Sequence, residues 1–329
     1  YIGCRRGAIH APHARPDLPN VIPRIRTPRL VLVTALALTG AATAFVAVAG
    51  RQRDAARFET AVRGAEDEIR NRLGAHVALL EGAQAFFGGS DTVTARDFRR
   101  YVSAANVHER YPGIRGIGFS RRLAPAETAA VFAARRADGL RDFHVEPATP
   151  REELHVIVYL EPLDARNRAA MGYDMFTEPV RHAAMAAARD RGHAVMSGRV
   201  RLRQELTGAG QPGFLIYVPV YRGGETPATV EARRAALLGF VYAPFRTGEL
   251  FTALFGDGES VTPGVSFRIW DGEVGDTAQL LYTSARGAAF GPGGRTRPLR
   301  LADRTWQVEY APVAARDPLG TRALAAATA

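Results

Sequence analysis

The run LVLVTALALTGAATAFVAVA, residues 30–49, holds 20 positions without a charge, and Arg29 and Arg51 close it on either side. At about 1.5 Å of rise per residue, a helix of that length covers the roughly 30 Å of a bilayer's hydrocarbon core. The pattern then changes. From 51 to 87, apolar residues recur at Phe58, Val62, Ala65, Ile69, Leu73, Val77, Leu80 and Phe87. Arg63, Asp67, Glu68, Arg70 and Arg72 fill the opposite face. That spacing predicts one long amphipathic helix, a stalk leaving the membrane. An ordinary long core helix is the alternative. The stretch FGGSD (87–91) ends it with glycines suited to a C-terminal cap.

Beyond the stalk the periods shorten. A helix is predicted over 94–112, with Thr94 as N-cap and Tyr111-Pro112 closing it. GIRGIGFSRRL (113–123) reads as a strand, and 124–139 as a helix with Pro125 near its start and Gly139 past its end. Strands are predicted at 143–145 and 155–163, the second apolar enough to be buried on both faces. A short amphipathic helix covers about 179–190 and Gly192 ends it. Residues 200–205 alternate, and 210–221 turn and then run apolar. RGGETPATVEARR (222–234) reads as an exposed loop. A strand at 235–245, a helix at 246–256 and strands at 264–273, 278–284 and 304–313 follow, with GPGG (291–294) as a turn. Short connections favour antiparallel pairing. The predicted class is α+β: long N-terminal membrane and stalk helices, then two antiparallel-sheet lobes. The divisions are a basic leader (1–29), a transmembrane helix (30–50), a stalk (51–91), one lobe over 92–234 and a smaller one over 235–314. In the last segment (315–329), PLGTRALAAATA reads equally as the first turns of a second membrane helix or as a frayed tail.

Charge adds direction. The chain has 43 basic residues, all Arg, against 33 acidic ones, for a net charge of +10. Residues 1–29 hold six arginines against Asp17 alone. Elsewhere the arginines are spread, without the clustered stripe of a nucleic-acid binder, so no nucleic acid is expected as partner. By the positive-inside rule the leader faces the cytoplasm, and the chain after residue 50 lies outside, in the periplasm of a cell whose inner membrane holds the anchor. A cleaved signal peptide is the alternative for 30–49, since AVAG offers small residues for cleavage. Tyr1 in place of Met reads as a fragment or a truncated product. Cys4 is the lone cysteine, which rules out an intrachain disulfide.

Catalytic motifs do not turn up: there is no G-x-S-x-G, no H-E-x-x-H, no P-loop and no paired-Cys motif. His144, His155, His182 and His193 are scattered, and the 11 positions between His182 and His193 are not a metal-ligand spacing. The module is read as non-catalytic, with no metal and no cofactor. Attention falls instead on MGYDMFTEPVRHAAMAAARDRGHAVMSG (171–198). Thr177 is expected to be the helix N-cap, with Pro179 in the first turn. Asp174 is then free to point elsewhere. Facing an apolar cavity, it must find a donor or shift its pKa upward; pairing with Arg181 is the alternative. Tyr159, Phe214, Tyr217 and Tyr221 lie on predicted strands, where aromatic residues line either core or cavity. Ser197 offers a hydroxyl to a ligand or to a turn. Pro219 marks its strand as edge-like or bulged.

In order and spacing, several blocks together resemble the CHASE family of extracellular sensory domains, found on membrane histidine kinases and nucleotide or diguanylate cyclases. They are YPGIRGIGF, YLEPL, GYDMFTEPVRHAAMAAARDRGHAVMSGRV and PGFLIYVPVY, and the likeness covers roughly 80–255. It implies two PAS-like lobes, a membrane helix on each side and a cytoplasmic output domain that lies outside these 329 residues. It also implies a ligand in the membrane-distal lobe (92–234), held in the family's cytokinin-binding members by an aspartate in the block where Asp174 stands. The expected function is a periplasmic small-molecule sensor, dimeric through its stalk. Its expected ligand-binding residues are Asp174, Tyr159, Ser197, Phe214, Tyr217 and Arg181. A periplasmic protein-interaction module without a small ligand is the alternative.

Overall fold

In a computed structural model, described over residues 27–90, 92–149, 151–202, 212–256, 265–284, 290 and 294–312, the membrane and stalk segments are one helix, α1 (Thr27–Gly88). The chain divides into two units, residues 1–55 and 56–329. In the first, α1 exposes its apolar side chains, among them Leu38 and Phe45 at 71% and 74%. The helix is long and apolar enough to cross a membrane.

In the second unit, α1 buries Val62, Ala65, Ile69, Leu73, His76, Leu80, Ala83 and Phe87. This is the predicted stripe with corrections: His76, Leu79 and Ala83 are buried as well, while Phe58 and Val77 are only partly so. A polar residue thus sits where periodicity alone selected an apolar one. Asp91 lies outside the described residues. Next, α2 (Ala95–Ala104) starts from a capping box: the Thr94 hydroxyl accepts from the Asp97 N–H, and the Asp97 carboxylate accepts from the Thr94 N–H. The predicted 94–112 helix breaks at Asn106, whose φ is +47°, before the single turn α3 (Val107–Arg110).

Two antiparallel sheets follow. In the first, β1 (Ile117–Leu123) pairs with β2 (Leu154–Glu161) on one side. Between them, a 3-10 turn (Pro125–Glu127) leads into α4 (Thr128–Ala137). Then come α5 (Ala165–Ala170), α6 (Pro179–Arg191), β3 (Val195–Met196), β4 (Val200–Arg201) and β5 (Pro212–Tyr221). After α7 (Val230–Ala236), β6 (Leu237–Arg246) returns between β1 and β5. The order is β2-β1-β6-β5-β3, with β4 also on β5. Because β3 pairs only with Ile216 and Tyr217, Pro219 falls where that edge of β5 has run past its partner. Past α8 (Thr247–Phe255), β7 (Val265–Trp270), β8 (Leu280–Thr283), β9 (Arg295–Leu301) and β10 (Arg304–Pro312) form the second sheet, ordered β8-β7-β10-β9.

The α+β class with two antiparallel sheets is therefore the observed one. Several element predictions differ. β6 hydrogen-bonds inside the first sheet, so the strands of the second sheet begin at Val265, not at 235. The predicted loop 222–234 ends in α7, started by the Thr229 hydroxyl accepting from the Ala232 N–H. Residues 143–145 are not a strand; next to them Glu146 makes a single bridge to Tyr173. α5 and β9 were not anticipated. The remainder of the 200–205 alternation, residues 291–293 of the GPGG turn, the leader up to residue 26, and 313–329 lie outside the described residues.

Candidate functional site

The first sheet carries two different cores. On one face, Phe98, Phe119, Val156, Phe214, Val241 and Phe245 pack with the buried stripe of α1. On the other, Tyr173, Met175, Met185, Leu215, Tyr217, Phe240 and Tyr242 pack beneath α6.

Asp174 belongs to the second face and is fully buried. It begins the 3-10 turn Met175–Thr177: its Oδ1 accepts from the Phe176 N–H at 3.2 Å and from the His155 N–H of β2 at 2.9 Å. Its Oδ2 has no hydrogen-bond partner, and the nearest cation is Arg151, 3.9 Å away. Two expectations change here. Thr177 does not cap α6, because its hydroxyl donates back to the Asp174 carbonyl at 2.7 Å and closes the 3-10 turn. Glu178 is the cap, accepting from the Val180 and Arg181 N–H groups at 3.0 and 2.9 Å. Nor does Arg181 pair with Asp174. Its Nη2 donates to the Arg201 carbonyl at 2.8 Å, its guanidinium lies 5.3 Å over the Tyr173 ring, and its Nε stays 3.7 Å from Glu178 without a hydrogen bond.

Tyr217 and Tyr242 complete this region. The Tyr217 hydroxyl, fully buried, donates only a weak bond to Met175 Sδ at 3.6 Å. The Tyr242 hydroxyl has no partner. Burial raises both pKa values above that of a free tyrosine, with the Arg181 charge acting in the opposite direction. Both hydroxyls therefore stay protonated. Tyr242 was not foreseen. The available signal was Gly118, its cross-strand partner: a Cβ there would collide with the Tyr242 ring, so the glycine in GIGF makes room for it.

The other predicted residues go elsewhere. The Ser197 hydroxyl accepts from the Leu215 N–H at 2.9 Å and donates to the Gly198 carbonyl at 2.8 Å, joining the end of β3 to β5. Phe214 faces the opposite core, stacked on Phe245 at 4.9 Å and edge-on to Trp306 at 5.3 Å. Tyr159 is also on that side; its hydroxyl donates to the Val93 carbonyl at 2.8 Å and Arg135 lies 4.7 Å over its ring. So the fold places Arg181 and Tyr217 beneath α6 with Asp174 in the turn that leads into that helix; it turns Tyr159 and Phe214 to the other side and spends the Ser197 hydroxyl on backbone groups of Gly198 and Leu215.

Tyr159 borders an open cleft of about 470 Å³ between the end of α1, β1, β2 and α4, and Asp174 is not among its lining residues. Glu153, on the rim, links the two regions. It accepts from Arg122 at 2.9 Å and lies 2.7 Å from Nε2 of the buried His155, whose ring stacks on Phe176 at 3.8 Å. The hydrogen bond to His155 and the Arg122 charge outweigh partial burial and hold the Glu153 carboxyl at about 2. Burial in turn lowers the His155 pKa, so a neutral ring donates to an ionised carboxylate. Among the described residues, no three His, Cys, Asp or Glu side chains converge as a metal site would require.

The end of α6 is tied to the second sheet. Ala302 and Asp303, both with positive φ, form the two-residue turn between β9 and β10. The Asp303 carboxylate accepts from Arg191 at 3.2 Å and lies 3.2 Å from His193 Nε2. Asp271 at the end of β7 accepts from the Arg199 N–H at 2.6 Å and pairs with Arg304. From β9, Arg297 reaches Glu59 on α1 at 2.7 Å.

Comparison with known proteins gives two findings. The model of the CHASE domain matches residues 91–282. Among solved structures, the ligand-binding domain of the amino acid chemoreceptor PctB of Pseudomonas aeruginosa PAO1, in complex with L-Arg, aligns at a TM-score of 0.39 and 12% identity, covering 74% of this chain and 88% of that one. No curated protein sequence matches the chain.

Proposed function

The chain belongs to the CHASE domain family, and on that premise we propose that the region beyond the membrane helix is a periplasmic sensor of a small molecule, bound beneath α6. The parent receptor is a membrane histidine kinase or diguanylate cyclase, paired as a homodimer through the stalk of α1. Within the sensor, residues 92–256 are the ligand lobe, enlarged by β6, and the second sheet is the membrane-proximal lobe.

One observation carries the choice of site: Asp174 Oδ2, Arg181 Nε and Tyr242 Oη are buried, belong to one side of the first sheet, and have no hydrogen-bond partner among the described residues. A buried polar atom left unpaired costs about 1–3 kcal/mol. A ligand offering an N–H to Asp174 and an acceptor to Arg181 and Tyr242 removes that cost when it enters. Entry requires α6 to lift or slide, because Met175, Met185 and Tyr217 fill the space, all at 0% exposure. Methionines suit a surface that repacks. Movement of α6 pulls on Asp303 through Arg191 and His193, and β9 passes it to Glu59 of α1. The ligand biases the stalk only through its different affinity for the two arrangements.

The test is thermal unfolding of the whole chain in nanodiscs against a metabolite library. A ligand at 100 times its Kd stabilises by about 2.7 kcal/mol. Arg181→Gln and Asp174→Asn are expected to abolish that gain. Asp174→Ala is a poorer variant, since it deletes the acceptor of two backbone N–H groups. A ligand that stabilises wild type and both variants equally excludes the α6 site.

A further inference from the structure

The opposite side of the first sheet has its own opening, and its chemistry differs from that beneath α6. The cleft of about 470 Å³ lies within the size range of small-molecule pockets, roughly 300–1,000 Å³. Its floor is aromatic and apolar: Phe119 from β1 with Val158 and Tyr159 from β2, walled by Phe87 at the end of α1 and Val131 of α4. Phe87 and Phe119 stack at 4.1 Å, so the floor is already packed and rigid rather than collapsed.

The rim is charged. Arg121, Arg122, Arg135 and Arg222 stand beside Glu127, Glu152 and Glu153. Two of the arginines are committed. Arg122 donates to Glu153 at 2.9 Å and to the Arg234 carbonyl at 2.8 Å, and Arg135 pairs with Asp138 at 2.5 Å. The Glu127 carboxylate accepts from the Ala124 N–H at 2.8 Å. The guanidinium groups of Arg121 and Arg222 make neither a hydrogen bond nor an ion pair among the described residues, and both side chains are exposed. Sequence pattern explains the placement of Arg121. It shares the side of β1 occupied by Phe119 and Leu123, so a strand built to bury that side carries one arginine out over the cleft.

We propose that this cleft is a second ligand site, distinct from the one beneath α6, and that it takes a small organic monoanion with a ring-bearing apolar body. The ring lies against Phe119, Val158 and Phe87, and the anionic group meets Arg121 and Arg222. Guanidinium groups bind carboxylates and similar anions through paired N–H donors. The two uncommitted guanidinium groups select a monoanion over a neutral molecule of the same shape. Because Phe87 closes α1 and Phe119 belongs to the central sheet, an occupant bridges the stalk's end to the sheet.

The experiment is calorimetric titration of the whole chain, in nanodiscs of neutral lipid, with 1-naphthoate and with its neutral isostere 1-naphthamide. Saturable binding of 1-naphthoate is expected, about tenfold or more tighter than 1-naphthamide. The Arg121→Gln/Arg222→Gln double variant is expected to lose about tenfold in affinity for 1-naphthoate alone and to leave 1-naphthamide unchanged. Both arginines are exposed, so the double variant is expected to fold as wild type does. Tyr242→Phe, on the α6 side, is expected to leave both titrations untouched. Absence of saturable 1-naphthoate binding, equal affinity for the two probes, or loss of binding in Tyr242→Phe overturns the proposal. The last outcome moves the probe to the α6 site and leaves the sensor reading standing.

Discussion

The two sides of the first sheet solve the same packing problem with different materials. Toward α1, most fillers are phenylalanines and branched aliphatic residues, among them Phe98, Phe119, Val156, Phe214, Val241 and Phe245. Beneath α6 they are Tyr173, Tyr217, Tyr242, Met175 and Met185, with Asp174 and Arg181 buried among them. Hydroxyls and charges are poor choices for a static core, since each must find a partner or cost free energy. Beneath α6 three polar atoms have found none among the described residues. Away from the cleft at the end of α1, that side is thus a packed scaffold that stability alone explains, whereas the α6 side keeps stability in reserve for something that is not part of the chain.

The largest expected effect belongs to the scaffold. Phe98 is fully buried, 5.7 Å from Phe87 and 5.5 Å from Tyr159 by ring centroids. Phe98→Ala is expected to cost about 3–5 kcal/mol in urea denaturation of the whole chain, from lost transfer energy and an unfilled cavity. A cost under about 1 kcal/mol would remove the contrast between the two sides.

His76 is a titratable filler of that scaffold, and it should be visible in the pH dependence. It packs edge-on to Phe245 at 5.0 Å, and neither ring nitrogen has a hydrogen-bond partner. Backbone groups of Arg72, Tyr111 and Pro112 approach the ring without reaching hydrogen-bonding geometry, and burial lowers its pKa from 6.5 to about 4. The folded pKa lies below the unfolded one, so the unfolded chain takes up a proton first as pH falls. The neutral ring's contribution is intact above 6.5, declines between 6.5 and 4, and is gone below 4. At about 1.36 kcal/mol per pKa unit, the loss amounts to about 3 kcal/mol. His76→Leu is expected to flatten this part of the curve, measured as unfolding free energy at pH 7, 5.5 and 4 against wild type. An unchanged slope would show that the ring is hydrated in solution.

These contrasts explain what could be read from the chain without coordinates. The α1 stripe was legible because a 3.6-residue period selects one side of a helix, and its largest miss was His76, whose polarity hid its burial. α6 was legible from Pro179 and from Gly192, whose φ of +80° ends it. β9 was not, because RTRPLRL sets arginines and a proline among its positions and buries only Leu299 and Leu301. α7 was hidden by a polar composition that reads as loop. The site was half legible. Asp174, Arg181 and Tyr217 come from three segments whose convergence depends on sheet register, and a one-residue slip would move Tyr217 to the other side. Which acid caps α6 depended on where the chain turns after Asp174, and Glu178 lies close enough for its carboxylate to reach two N–H groups. Tyr242 could be inferred only from the space left by Gly118.

Tyr242 gives the smallest expected effect and the one that separates the two sides most directly. In an ordinary core, removing a tyrosine hydroxyl deletes a hydrogen bond and destabilises. Here the hydroxyl is fully buried, has no partner, and stays protonated because burial raises its pKa. Tyr242→Phe removes a desolvated group and keeps the ring against Tyr217, 6.1 Å away by centroids. The unliganded chain is therefore expected to gain about 1 kcal/mol, measured as a shift in urea midpoint at unchanged slope. The same change is expected to weaken any ligand that stabilises wild type through the α6 site, because that ligand loses the hydroxyl it satisfies. Opposite signs for stability and affinity, from one oxygen atom, are what a binding site produces and a filled core does not. A loss of stability in Tyr242→Phe would mean the hydroxyl already has a partner in solution, such as a buried water, and the α6 side would then be as self-sufficient as the side facing α1.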